Sequence, residues 1–206
     1  MKQIAKDLLK IKAVKLAPAE PFTWASGIKS PIYCDNRLTI SYPQIRTRIA
    51  LGLSQMIKEK FPEVEVIAGT ATAGIPHATL IAQNLDLPLI YVRSKPKDHG
   101  RGKQIEGVLK PHQKTVVIDD LLSTGGSVLK AVDAARNEGA DVIGVGAIFS
   151  YQLASIEDNF AQAKVPFVTL TNYTELLQAA LEEDYITKNE EKLLHEWRQN
   201  PENWLK

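Results

Sequence analysis

The chain has 206 residues, enough to bury a sizeable core as one domain with small additions. Its 25 Lys and Arg against 24 Asp and Glu leave a net charge of +1, which argues against a general nucleic-acid binder; the single cysteine, Cys34, excludes an internal disulfide. The charged N-terminus is unlike a secretory signal and no apolar run approaches the ~20 residues of a membrane span, so a soluble cytoplasmic protein is expected.

Residues 1–16 set Ile4, Leu8, Leu9 and Ile11 among lysines, which predicts a weakly amphipathic helix. Phe22 to Gly27 and Ile28 to Asp35 read as two extended pieces joined at Ser26-Gly27. Ser41 ahead of Pro43 predicts a helix start, and Ile45, Ile49, Leu53 and Ile57 mark the inner face of a helix reaching about Lys60. Val64 to Ala68 is the next expected strand, followed by Gly69-Thr-Ala-Thr-Ala-Gly74 and a helix opened by Pro76. That glycine spacing is not a nucleotide P-loop, because Ile75 and Pro76 stand where Lys and Ser/Thr are required. A small-residue turn can still bind phosphate through its backbone.

Leu89 to Val92 and Glu106 to Leu109 are further expected strands. Between Arg93 and Lys114 lie seven basic residues (Arg93, Lys95, Lys97, Arg101, Lys103, Lys110, Lys114) and two acids (Asp98, Glu106), so the segment is +5 while the rest of the chain is −4. Most charge-rich loops are ordinary solvated surface. This one leaves a strand of the sheet and carries Gly100, Gly102 and Gly107, which suits a cationic lid able to close over a diphosphate and exclude water.

The most informative stretch is Thr115-Val-Val-Ile-Asp-Asp-Leu-Leu-Ser-Thr-Gly-Gly-Ser127. A buried strand is expected to end on Asp119 and Asp120, ahead of a loop of hydroxyls and glycines. Val128, Leu129, Val132 and Ala135 then recur at helical spacing, Gly139 supplies a left-handed cap, and Val142 to Phe149 forms the next strand of a βαβ unit. Ligands of such units bind beyond the carboxyl ends of the strands. Backbone N–H groups of Thr124, Gly125, Gly126 and Ser127 would face an anion at a helix N-terminus. The two carboxylates cannot bind phosphate, but they suit sugar hydroxyls or a magnesium shell. Together these groups point to a phosphorylated ribose.

Phe167 to Leu170 is expected to close the sheet, and Thr174 to begin a helix. Thr187-x-x-Glu190 is a capping box for a last helix that buries Leu193, Leu194 and Trp197, with His195 at its surface. Alternating strands and helices predict an α/β fold with a mostly parallel central sheet flanked by helices. A small N-terminal cap over residues 1–40 would sit on a core of 41–206.

The acid-acid-apolar-apolar-Ser-Thr-Gly-Gly-Ser segment resembles the phosphoribosyl diphosphate signature of the type I phosphoribosyltransferases. Lys97-Asp-His-Gly100 in the long loop and Phe22-Thr-x-x-Ser-Gly-x-Lys-Ser-Pro31 in the cap resemble the orotate phosphoribosyltransferase branch of that family. The resemblance implies transfer of a phosphoribosyl group from phosphoribosyl diphosphate to orotate, with Mg²⁺, in pyrimidine synthesis. It implies that Arg93, Lys97 and His99 contact the diphosphate, with Lys97 or His99 able to protonate the leaving group. Asp119 and Asp120 would hold the ribose hydroxyls, with the metal near them but held mainly by substrate. Leu121 and Leu122 would complete the binding segment, Thr124, Gly125, Gly126 and Ser127 would hold the 5′-phosphate, and Ser123 would reach orotate. Tyr33 and Cys34 fall where many relatives set two aromatics beside the base. A homodimer with lids crossing into the partner's site is also implied.

The sequence departs from this pattern at Ala25, Thr72, Ala73, Ser94 and Tyr151, where many relatives carry charged or larger polar groups. The lost cations would have faced orotate, so its carboxylate has no assigned side chain, and backbone N–H groups of the cap are the expected substitute. A transferase acting on a purine base would leave the cap and the Lys-Asp-His-Gly loop unexplained. A regulator on the same fold is expected to need a basic RNA face or an added DNA-binding domain, for which the roughly twenty residues ahead of the Phe22–Pro31 stretch are too few.

Overall fold

The computed structural model describes residues 2–24, 27–96 and 104–204; Lys97 and His99, both expected at the diphosphate, lie outside the described residues. Six strands make the central sheet: β5 (Val66–Thr70), β6 (Leu89–Val92), β7 (Ile105–Glu106), β8 (Lys114–Leu122), β9 (Asp141–Ser150) and β10 (Phe167–Asn172). Their spatial order is β10-β9-β8-β5-β6-β7, parallel throughout except for the antiparallel edge pair β6–β7. Parallel strands covered on both faces need apolar side chains pointing both ways. Ile67, Val116, Ile118 and Ile148 enter one core cluster, while Val66, Ala68, Val117, Val145 and Ala147 enter the other.

The first cluster is covered by α1 (Lys2–Lys10), α2 (Pro43–Lys60), α3 (Gly74–Leu85), α6 (Tyr173–Glu182) and α7 (Lys188–Gln199). The second is covered by α4 (Gly126–Asn137) and α5 (Ala154–Ala163). Ile45, Ile49, Leu53 and Ile57 are all buried, as their spacing predicts. Gly139 has φ of +96° just past the α4 C-cap, the left-handed residue expected there. The capping box at Thr187 and Glu190 is complete, but Leu193 is exposed while Leu194 and Trp197 carry the buried face of α7.

Several boundaries differ from the expectations, each for a local reason. The first helix stops at Lys10, and a turn through Lys12 (φ +57°) frees Val14–Leu16 to pair as β1 with β4 (Ile32–Cys34). The α2 N-cap is Tyr42 and not Ser41, because Asn36–Ser41 coil into a 3₁₀ helix that Ser41 closes. The next strand starts at Val66, two residues late, and runs on to Thr70. Its helix begins at Gly74; Pro76 is tolerated in that first turn, where no intrahelical N–H is needed. The strand expected over Glu106 to Leu109 is only Ile105–Glu106. Helix α5 was not legible in advance, since its N-cap Leu153 offers no side-chain cap.

An aromatic cluster ties the N-terminal segment to the C-terminal helices. The hairpin β2 (Phe22–Thr23) and β3 (Lys29–Ser30) carries Trp24, whose ring centroid lies 5.2 Å from Tyr151 and 5.6 Å from Trp197. Trp197 is wholly buried and its Nε1–H donates to the Lys29 carbonyl at 3.1 Å. Each edge or tilted ring pair contributes about 1 kcal/mol beyond its area burial.

Candidate active site

Chain order reverses in the sheet between β5 and β8: successive strands run outward from β5 through β6 to β7 and from β8 through β9 to β10. The crevice beyond the carboxyl ends of these two strands is the place where an open α/β sheet takes its ligand. β8 delivers Asp119 and Asp120 there, and β5 delivers Thr70. The strand does not stop at the acids, as expected from sequence, but continues through Leu121 and Leu122. Pairing of Leu121 with Phe149 and Leu122 with Ser150 sustains it, and Leu122 is buried in the α4–α5 core.

Asp119 is buried and held by two donors: Thr70 Oγ1 at 2.7 Å and its neighbour's backbone N–H at 2.9 Å, both on Oδ1. Burial raises its pKa, and those two bonds oppose the rise by favouring the ionised form. Asp120 is half-buried, and its pKa is pushed up to about 7, first by burial and then by the adjacent Asp119 charge. The pair therefore divides its roles. Asp119 is the carboxylate already satisfied by protein, and Asp120 is the one that gains most from donors brought by a ligand.

Close packing enforces this arrangement. A Cβ on Gly74 would sit 2.3 Å from the Ile118 carbonyl oxygen and 2.4 Å from Thr70 Oγ1, so only glycine lets α3 start against the strand end. After β8, Ser123 is half-buried and Thr124 exposed. Gly125 (φ +81°) serves as the α4 N-cap without any side-chain cap. Gly126 and Ser127 are exposed in the first turn of α4, where amides and helix dipole both favour an anion. A Cβ on Gly125 would meet the Phe160 ring at 2.5 Å, so its conformation and its space both demand glycine.

The 3₁₀ helix supplies contacts that sequence reasoning missed. Asn36 is fully buried, and its Nδ2 donates to the Asp120 carbonyl at 2.6 Å while its Oδ1 accepts from Cys34 Sγ at 3.3 Å. Thr39 Oγ1 donates to the Asn36 carbonyl at 2.6 Å and lies 3.5 Å from His77 Nε2. A polar chain thus runs from α3 through the turn to the acid pair. The only sequence signal was polarity in Asp35-Asn-Arg directly after an apolar strand. Of the two positions expected beside the base, Tyr33 is exposed and Cys34 is turned inward, since successive strand residues face opposite ways. Arg37 is held by both carboxylate oxygens of Asp35, at 2.6 and 2.9 Å.

The described ends of the basic segment meet. The Arg93 backbone N–H donates to the Gln104 carbonyl at 2.8 Å, Gln104 Nε2 donates back to the Arg93 carbonyl at 3.1 Å, and Arg93 Nη1 lies 3.4 Å from Glu106. Beside Ser123 and Thr124 opens a cavity of about 430 Å³, whose wall includes Trp24, Ile28, Leu153 and Arg198.

A phosphoribosyl transferase domain model matches residues 42–181. An orotate phosphoribosyltransferase of Enterococcus faecalis is 63% identical over 205 residues, covering 100% of this chain and 98% of that one. The chain belongs to the orotate phosphoribosyltransferase family. Among solved structures, an orotate phosphoribosyltransferase from Aeropyrum pernix superposes with a TM-score of 0.74 at 26% identity, covering 89% of this chain and 99% of that one. The UMP synthase of Leishmania donovani matches with a TM-score of 0.82 at 26% identity, over 96% of this chain and 42% of that longer one. As in other orotate phosphoribosyltransferases, the sheet is mostly parallel and flanked by helices, and the enzyme class is pentosyltransferase. Among the described residues no helix is long and apolar enough to cross a membrane.

Proposed function

We propose that the site transfers a phosphoribosyl group from phosphoribosyl diphosphate to orotate, giving orotidine 5′-monophosphate and diphosphate in the cytoplasm. The observation that carries this reading is the acid pair at the switch point, set directly before an uncapped glycine-opened helix start. Identity of 63% to an orotate phosphoribosyltransferase over the whole chain supports orotate as acceptor. Asp119 and Asp120 take the ribose hydroxyls, Thr124 to Ser127 the 5′-phosphate, and Ser123 the base. Arg93, Lys97 and His99 take the diphosphate. Residues 1–40 act as a cap on a core of 41–206, with α1 packed into the core's own helical layer.

Breaking the C1–O bond spreads positive charge over the ribose ring and negative charge over the departing diphosphate, while a ring nitrogen of the base attacks C1. Asp119 and Asp120 lie beside the positive charge, and the lid cations answer the negative one. Both interactions strengthen as the bond breaks, so they lower the barrier rather than merely tighten the ground state. One such preorganised contact is worth about 3 kcal/mol, a ~100-fold effect on rate. Among the described residues no cluster of three or more His, Cys, Asp or Glu side chains could hold a metal alone. The donors present suit Mg²⁺ that is coordinated largely by substrate oxygens, with Asp120 the carboxylate able to face it. Bound there, the ion would add positive charge at the leaving group. Turnover is expected to stop in excess chelator and return with added Mg²⁺.

The direct test supplies phosphoribosyl diphosphate with orotate, uracil, hypoxanthine or guanine and measures released diphosphate. Orotate should be turned over well above the others. Preferred use of a purine, or binding without turnover of any base, would refute the assignment.

A further inference from the structure

We propose that Arg198, near the end of α7, anchors the carboxylate of orotate and so sets the enzyme's preference for that base; the inference rests on the acceptor assigned above. The cavity beside the loop is bounded by Ser123 and Thr124, by the apolar side chains of Trp24, Ile28 and Leu153, and by Arg198. Its volume of about 430 Å³ accommodates a pyrimidine ring with room for the adjoining sugar. Trp24, Ile28 and Leu153 give the cavity an apolar side for the faces of a ring, while Ser123, Ser155, Gln199 and Asn200 supply polar groups at its edge. Orotate differs from uracil by one ring carboxylate. A site that prefers it must place a cation or donors at that group.

Arg198 is the only cation lining this cavity among the described residues. Its guanidinium is fixed from one end: Nη1 donates to Gln152 Oε1 at 3.1 Å and to Thr174 Oγ1 at 2.9 Å, and Cζ lies 5.6 Å from the centroid of the Tyr173 ring. Those two acceptors use both hydrogens of Nη1. The Nε–Nη2 edge has no partner among the described residues, and that edge is the fork which matches a carboxylate with two parallel bonds. Arg37 displays the same fork already occupied, with Nε and Nη2 on the two oxygens of Asp35. Arg198 makes no ion pair among the described residues; Glu202, also on the cavity wall, is exposed to solvent. Gln152 Oε1 in turn accepts from the Thr174 backbone N–H at 3.0 Å and its hydroxyl at 2.7 Å, so the support is itself fixed. A preorganised, half-buried cation with an open fork is what recognition of a small carboxylate requires.

The test compares wild type with Arg198→Gln and Arg198→Lys, varying orotate and phosphoribosyl diphosphate separately, and measures competitive inhibition by uracil. Arg198→Gln should raise KM for orotate roughly tenfold to a hundredfold, as expected for losing hydrogen bonds to a charged group. Arg198→Lys, a point charge without the fork, should fall between. KM for phosphoribosyl diphosphate and Ki for uracil should stay within about twofold of wild type, because neither uses the fork. An unchanged KM for orotate in the Gln variant would overturn the proposal. So would a joint loss of orotate, uracil and phosphoribosyl diphosphate binding with a lowered Tm, the signature of a structural strut. A wild-type protein inactive with orotate would instead refute the acceptor assignment, and this inference with it.

Discussion

At the scale of single residues, the site holds two titrating groups that pull stability in opposite directions. Asp120 has a folded pKa of about 7, raised by burial and by Asp119, so the fold binds its proton more tightly than the unfolded chain does. Its effect is therefore a stability that falls as pH rises from about 4 to about 7. His77 is fully buried with its pKa lowered to about 4, first by burial and then by Arg46, so it stays neutral in the fold. Its contribution is lost as pH falls from about 6.5 toward 4. Melting curves of ligand-free protein should separate the two. Asp120→Asn should gain stability over wild type near neutral pH and lose that gain in acid, while His77→Gln should flatten the acid limb. On the proposed ribose-holding role, Asp120→Asn should also weaken phosphoribosyl diphosphate binding most above pH 7, where the wild-type carboxylate is ionised and able to accept hydroxyl hydrogen bonds. An Asp120→Asn curve parallel to wild type at all pH values would contradict the raised pKa.

At the scale of elements, the βαβ unit from Lys114 to Ser150 was legible because its signals are adjacent in sequence. Apolar strand, acids, hydroxyl and glycine loop, helical periodicity and Gly139 follow one another without a break. What escaped was long-range. Thr70 reaches Asp119 across 49 positions and Asn36 reaches the Asp120 carbonyl across 84, and no local spacing announces either contact. Strand β1 escaped for another reason: a lysine-rich surface hid the end of helix α1, and pairing with β4 outweighed local helix preference. The glycines around the site report the same tertiary constraint. Gly74→Ala drives a methyl into the Ile118 carbonyl and the Thr70 hydroxyl, so the strand end and the donor to Asp119 must both move. Overpacking of this kind costs about 1–3 kcal/mol. We expect a Tm drop together with weakened phosphoribosyl diphosphate binding, whereas a change at a surface glycine would move neither. Normal binding in folded Gly74→Ala would show that Thr70 is dispensable to the acid pair.

At the scale of the whole molecule, the hydrogen bonds between Arg93 and Gln104 continue the β6–β7 edge pairing by one residue on each strand, at the two sides of positions 97–103. β5 lies between β6 and β8, and both β5 and β6 lie between β7 and β8, which carries the acids. A lid that serves the partner's site in a two-fold dimer fits this separation. The test mixes Lys97→Ala with Asp120→Asn, each expected to be nearly inactive alone. A mixed dimer then holds one site with intact acids and an intact lid, and one site with both defects. Subunit exchange should restore activity toward half that of wild type per mixed dimer. Confirmed exchange between differently tagged chains without recovery would mean that each lid closes over its own chain.

The aromatic cluster has an optical consequence. Trp24 lies on the cavity wall beside Ser123 and packs edge-to-face with Trp197, whose indole is sealed from water. Any base seated against Trp24 should quench or shift its emission, and excitation transfer should carry part of that change to Trp197 because their centroids are 5.6 Å apart. Trp24→Phe should abolish the response to added orotate while leaving the emission of Trp197 and of the half-buried Trp204. Tryptophan emission would then serve as a label-free gauge of acceptor occupancy, readable in a stopped-flow instrument.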